Sequence, residues 1–170
     1  MCGIVGYIGA QSAAPIIASG LARLEYRGYD SAGIAVDDHG NLDIRRSVGK
    51  LANLVQLLGQ QPLHGNVGIG HTRWATHGDV TEQNAHPHRD ASGRVVVIQN
   101  GIVENYLELK RELIDEGHTF GSQTDTEIIA HLLGNHYQAC GSLVEALRRT
   151  AAMLKGGNAI VAMSVDQPGI

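Results

Sequence analysis

Apolar residues fall into two rhythms along this chain. Compact apolar runs of about four to eight residues, bounded by Gly or polar residues, predict buried strands. Cys2 to Ile8, Val95 to Ile98 and Ala159 to Val165 are such runs. Ala32 to Asp37 and Leu42 to Arg46 read as a hairpin that turns at Asp38-His39-Gly40-Asn41. Val67, Ile69 and His71 alternate with Gly68 and Gly70, the pattern of a strand closely approached by another backbone. The second rhythm is helical. Ile17, Leu21 and Leu24 space a helix from Ala13 to Glu25, with Pro15 in its first turn and Gly28 beyond its end. Leu51 to Leu58 predicts a helix that Pro62 breaks. Tyr106, Leu109 and Leu113 share one face of a helix from Asn105 to Glu116. Thr124-Asp125-Thr126-Glu127 has the form of a capping box and opens a helix carrying Ile128, Ile129, Leu132 and Leu133. Ser142 to Glu145 repeats that form for a helix reaching Leu154.

Between these elements, Thr72 to Asp90 has no periodicity. Ordered loops of that length are usually functional. Asn100-Gly101 is a tight-turn signal. Strands at both ends, hairpin connections and paired helices between them predict an α+β fold of largely antiparallel sheets covered by helices. Gln167-Pro168-Gly169-Ile170 places a turn signal directly after a strand, which predicts that the natural chain continues past Ile170 and that residues 1–170 are an incomplete domain.

Composition narrows the class of protein without identifying it. The 170 residues carry a formal charge of −4 and are 43% apolar, which argues against a nucleic-acid footprint or a basic membrane patch. No apolar run reaches the length of a membrane span, and the N-terminus lacks the basic and apolar regions of a signal peptide. Two distant cysteines form neither a disulfide framework nor a zinc motif, which predicts a cytoplasmic protein. Twenty-two glycines, roughly twice the usual share, cluster at turns and close approaches.

Cys2 directly follows a methionine that is normally removable before so small a residue. Removal would give one residue both a thiol and a free α-amine of pKa about 8, an established arrangement for nucleophilic catalysis. An ordinary buried strand cysteine is equally compatible with the position. Arg73 suits a bidentate carboxylate contact, and Trp74 either shields a site from water or packs in the core. Asn100-Gly101 is either a plain turn or a pair of oxyanion donors. Asp125 either complements a helix N-terminus or binds a substrate ammonium. His86-Pro87-His88, with His64, His71 and His77, is a weak metal pattern, because no helical His pair with a following Glu accompanies it. Cys140 reads as a small residue at a helix end and Lys50 as a solvated lysine.

These pieces together resemble a known family. Met1-Cys2-Gly3-Ile4-Val5-Gly6 is similar to the N-terminus of class II glutamine amidotransferases, which are N-terminal-nucleophile hydrolases. Leu24 to Gly33, His71 to Gly78, Asn84 to His88, Asn100-Gly101 and Thr124 to Glu127 fit the sugar-phosphate branch of that family in the same order. The resemblance implies a four-layer αββα sandwich. It implies Cys2 as nucleophile toward L-glutamine, Asn100 and Gly101 as the oxyanion hole, and Arg73, Trp74, Thr76, His77 and Asp125 as the glutamine pocket. Arg27 and Gly28 would form the wall beside the nucleophile. It implies no cofactor and no metal, a homodimeric full-length enzyme, and fructose 6-phosphate as an acceptor bound by domains outside this chain; the alternatives are a class II amidotransferase that uses phosphoribosyl pyrophosphate or aspartate, and a non-catalytic glutamine-binding module if Met1 is retained. One departure stands next to the oxyanion pair: the family usually has His where this chain has Gln99.

Overall fold

The computed structural model describes residues 2–76 and 78–170. Four strands, β1 (Gly3–Ile8), β2 (Ser31–Asp38), β3 (Asn41–Val48) and β4 (Val67–Arg73), form an antiparallel sheet ordered β1-β4-β2-β3. A smaller antiparallel sheet runs β5 (His88–Arg89), β6 (Val95–Gly101), β7 (Asn158–Ser164). Helices α1 (Ala13–Ala22) and α2 (Leu51–Gln60) pack on the first sheet; α3 (Tyr106–Asp115), α4 (Thr126–Cys140) and α5 (Leu143–Met153) lie on the side of the second.

Strand periodicity builds the layers. Successive strand residues face opposite ways, so Ile34 and Val36 pack against Ile17, Leu21 and Leu54, while Ala35 between them meets the other sheet. The second sheet does the same: Val95 and Val97 join Leu109, Leu113, Ile129 and Leu133, whereas Val96 and Ile98 join Ile69 and Met163 between the sheets. Three apolar cores therefore separate four layers in the order αββα. Removing one of the fully buried anchors, such as Ile17 or Ile129, by substitution to Ala would cost about 2–5 kcal/mol.

Several local expectations need correction. Helix α1 stops at Ala22, and a short 3₁₀ turn, Glu25–Arg27, carries the chain to Gly28. Asn100-Gly101 is not a turn. Both residues remain in β6, opposite Ala159 and Asn158. The Thr124 to Glu127 capping box does not form: Asp125 makes no side-chain cap bond, and its carboxylate instead accepts from Val103 N at 2.8 Å. Glu127 turns to the loop before the helix, accepting from Gly121 N, Ser122 N and Ser122 Oγ. The second capping motif holds on its Ser side, where Ser142 Oγ accepts from Glu145 N. The aperiodic stretch contributes its first two residues to β4 and His88-Arg89 to β5. Gly70 is required because α1 lies against it: a Cβ there would sit 2.3 Å from Ile17 Cγ2. That close fit holds the first helix layer onto β4, whose far end carries Arg73.

Candidate active site

The site forms where the start of β1 meets the C-terminal ends of β4 and β6. Pairing of Gly3 with Thr72 puts Cys2 beside the end of β4, and Gly3 N donates to Thr72 Oγ1 at 3.2 Å. Trp74 N donates to Cys2 Sγ at 3.2 Å, and Asn100 Nδ2 donates to the Cys2 carbonyl at 3.0 Å. Cys2 is therefore not a core residue. Its sulfur is half-buried and faces a cavity of about 350 Å³.

That cavity brings together Cys2, Arg27, Arg73, Trp74, Thr76, Asn100, Gly101 and Asp125. Gly28 stands immediately behind it, where a Cβ would come within 2.8 Å of the Arg73 carbonyl carbon. Met1 and His77, the remaining residues of the expected chemistry, lie outside the described residues. The Arg73 guanidinium is buried and donates to the carbonyls of Asp79 at 3.2 Å and Gly78 at 3.4 Å, which ties the polar loop over the pocket. Trp74 is 48% exposed, so it forms the mouth of the site and does not pack in the core. Its ring and that of Tyr29 meet edge-on, with centroids 5.3 Å apart. Asp30 anchors the same loop by accepting from Ala75 N, and Ser31 Oγ donates to the other carboxylate oxygen at 2.9 Å. Gly101 adopts φ 138°, and a Cβ would lie 2.2 Å from the Gly157 carbonyl oxygen. Only glycine keeps the end of β6 in this position.

Three buried histidines escaped the sequence pattern as site components: His71 and His86 line the pocket, and His88 lies behind them. His71 and His86 stack with centroids 4.1 Å apart, and His88 meets His86 edge-on at 5.0 Å. His71 Nε2 and Asn100 Oδ1 are 2.9 Å apart. Amide oxygen only accepts, so neutral His71 carries its proton on Nε2 and directs the Asn100 Nδ2 donors away from itself. Burial pushes the His71 pKa down to about 4 and that of His88 to about 3, and holds His86 well below its ordinary value. All three imidazoles are neutral at pH 7. His88 Nε2 bonds Thr124 Oγ1 at 3.0 Å, and His86 Nε2 bonds Thr126 Oγ1 at 3.2 Å. Of the weak metal pattern, His71, His86 and His88 thus form a stack whose ring nitrogens bond Asn100, Thr126 and Thr124. Among the described residues, no group of three or more His, Cys, Asp or Glu side chains is placed to hold a metal ion. No helix among them is long and apolar enough to cross a membrane.

A thiol, an amide, a cation and a carboxylate line one pocket on an αββα sandwich, the fold of N-terminal-nucleophile hydrolases. The chain belongs to the glutamine amidotransferase domain family, which matches residues 60–148. It is 53% identical over its whole length to glutamine–fructose-6-phosphate aminotransferase (isomerizing) of Streptomyces coelicolor, and 52% identical over 99% of its length to the protein of that name from Pyrococcus horikoshii. The chain spans about 28% of the length of each of these curated relatives. Among solved structures it is similar to the phosphoribosylpyrophosphate amidotransferase of Bacillus subtilis in complex with ADP and GMP. That match has a TM-score of 0.81 at 28% identity, covering 97% of this chain and 35% of the other. A structure described as the allosteric regulatory enzyme of purine biosynthesis gives a TM-score of 0.82, also at 28% identity, covering 97% of this chain and 36% of that one.

Proposed function

We propose that this chain carries the glutaminase half-reaction of a glutamine–fructose-6-phosphate aminotransferase. The supporting observation is the convergence of Cys2 Sγ, Asn100, Arg73 and Asp125 on one cavity of about 350 Å³. With Met1 removed, the Cys2 α-amine takes the thiol proton, directly or through a water, and the sulfur attacks the γ-carboxamide carbon of L-glutamine. Charge develops on the carboxamide oxygen. Asn100 Nδ2 has two hydrogens: one goes to the Cys2 carbonyl, and the other is left for that oxygen, with Gly101 as the second donor. Collapse of the tetrahedral intermediate expels ammonia, which takes up the proton. Water then cleaves the γ-glutamyl thioester to release glutamate.

Arg73 would grip the substrate carboxylate by two parallel bonds. One oxygen of Asp125 is committed to Val103 N, and the other is directed to the substrate ammonium. Thr76 and His77 complete the pocket, Arg27 and Gly28 form its wall, and Trp74 shields the thioester and retains ammonia.

The 53% identity to the Streptomyces aminotransferase favours fructose 6-phosphate as the acceptor, giving glucosamine 6-phosphate in amino-sugar synthesis; the 28% identity to a phosphoribosylpyrophosphate enzyme supports only the shared glutaminase chemistry. Acceptor binding belongs to parts of the relatives this chain does not cover. In this reading residues 1–170 are glutaminase-domain sequence of a cytoplasmic homodimer. The test is Cys2→Ala in the full-length protein. Ammonia release from glutamine is abolished while use of free ammonia persists. Substantial glutamine hydrolysis by the variant would refute the nucleophile assignment.

A further inference from the structure

The residue that departs from the family pattern, Gln99, is 3% exposed and has a partner for each polar group of its side chain. Its Nε2 donates to Asn158 Oδ1 on β7 at 2.7 Å, and its Oε1 accepts from Thr126 Oγ1 at 2.8 Å. Thr126 is fully buried and has one hydroxyl hydrogen, which this bond uses. The second contact of Thr126 Oγ1, with His86 Nε2 at 3.2 Å, must therefore be one in which the imidazole donates. His86 is then bare at Nδ1, and Gln99 N donates to that atom at 3.4 Å. The bonds close a ring with one consistent direction, from the Gln99 backbone to His86, from His86 to Thr126, and from Thr126 back to the Gln99 side chain.

Two of its three members, Gln99 and His86, line the pocket itself, and two adjoin further pocket residues in the chain. Gln99 precedes Asn100 on β6, and Thr126 follows Asp125 at the start of α4. The third, His86, stacks on His71, which orients the Asn100 amide. We propose that Gln99 and Thr126 are positioning residues: their hydrogen-bonded ring through His86 sets the distance between the oxyanion donor on β6 and the ammonium-binding carboxylate on α4. This rests on the glutaminase reading above. Glutamine must span both groups at once, with its γ-carboxamide at Asn100 and its α-amine at Asp125. A shift of α4 relative to β6 therefore impairs attack and binding together. Apolar packing of Ile129 and Leu133 on Val95 and Val97 sets α4 broadly against β6, and Val103 N ties Asp125 to the segment after β6; the ring is a second polar tie one residue on, and it fixes the finer orientation.

The experiment compares Thr126→Val and Thr126→Ser with wild type in the full-length protein. Val conserves volume, deletes the hydroxyl and leaves His86 Nε2–H and Gln99 Oε1 without a partner; Ser retains the hydroxyl. kcat and KM for glutamine hydrolysis are measured alongside Tm and the rate of Cys2 alkylation by iodoacetamide. The expected result is a fall of about tenfold or more in kcat/KM for Thr126→Val, including a raised KM, with Cys2 alkylation within about twofold of wild type and recovery to within about threefold in Thr126→Ser. Wild-type kcat/KM in Thr126→Val, or a loss that Thr126→Ser fails to recover, would overturn the positioning role. Should Thr126→Val not accumulate as folded protein, Gln99→Met removes the acceptor from the other side and carries the same expectation. Failure of the glutaminase reading is visible separately, because wild type itself would then release no ammonia.

Discussion

Acidification is the perturbation this structure makes most quantitative. His71 is held neutral by burial with its pKa pushed from 6.5 to about 4, and His88 from 6.5 to about 3. In the unfolded chain both titrate near 6.5. Between pH 6.5 and 4 the unfolded state binds protons that the folded state refuses, so stability is full above pH 6.5 and falls as pH drops through that window. Each histidine contributes a slope of about 1.4 kcal/mol per pH unit. Carried to the folded-state values, the loss is about 3 kcal/mol from His71 and about 5 kcal/mol from His88. His86 acts in the same direction. Glu127 does not enter this window. Burial opposes its charge, but the nearby His131 imidazole, 3.7 Å away, and the hydrogen bonds from Ser122 and Gly121 prevail and lower its pKa to about 2, so its contribution is present above pH 4.5 and lost only below it. Urea unfolding followed by circular dichroism at pH 7, 6 and 5, at fixed ionic strength, reads the effect directly. The midpoint should fall steeply below pH 6.5, and His88→Gln should flatten the slope by about 1.4 kcal/mol per pH unit. Stability constant to within about 1 kcal/mol from pH 7 to 5, or a slope indifferent to His88→Gln, would refute the neutral-stack reasoning.

Two further substitutions separate chemistry from folding. Asp125→Asn keeps an acceptor for Val103 N but removes the charge; KM for glutamine should rise about 10–100-fold with little change in Tm, and an unchanged KM would remove Asp125 from the ammonium site. Gly101→Ala forces a Cβ to 2.2 Å from the Gly157 carbonyl at φ 138°; chemical denaturation should show a loss of about 2 kcal/mol or more, and a neutral result would mean that the end of β6 yields freely.

Periodicity alone makes the layers legible. Ile34-Ala35-Val36 and the Val95 to Ile98 run alternate between two cores, and the helix faces of Ile17 and Leu21 and of Leu109 and Leu113 bury as spaced. Local motifs failed where tertiary partners outbid local ones. Thr124 and Glu127 have the chemistry of a capping box, but a buried imidazole and the Gly121-Ser122 amides claim them. Asn100-Gly101 has the composition of a turn, but pairing with Ala159 and Asn158 keeps it extended, and the glycine answers a carbonyl from a segment more than fifty residues away. The candidate residues Cys2, Arg73 and Asp125 were visible as types in position, and the fold supplied their convergence. His71 was invisible in its role because its partner, Asn100, is 29 residues distant and its own neighbours only mark a strand. The ring of Gln99, Thr126 and His86 has the same character: each bond crosses between elements, and no spacing along the chain encodes it.

The central claim, that Cys2 attacks glutamine, is tested most directly by acid-quenching the protein during turnover of L-glutamine and mapping its peptides by mass. The account predicts an N-terminal peptide that begins at Cys2 and carries a γ-glutamyl thioester on that residue. Ammonia release with Met1 still attached, or with the γ-glutamyl group on any other residue, would contradict it.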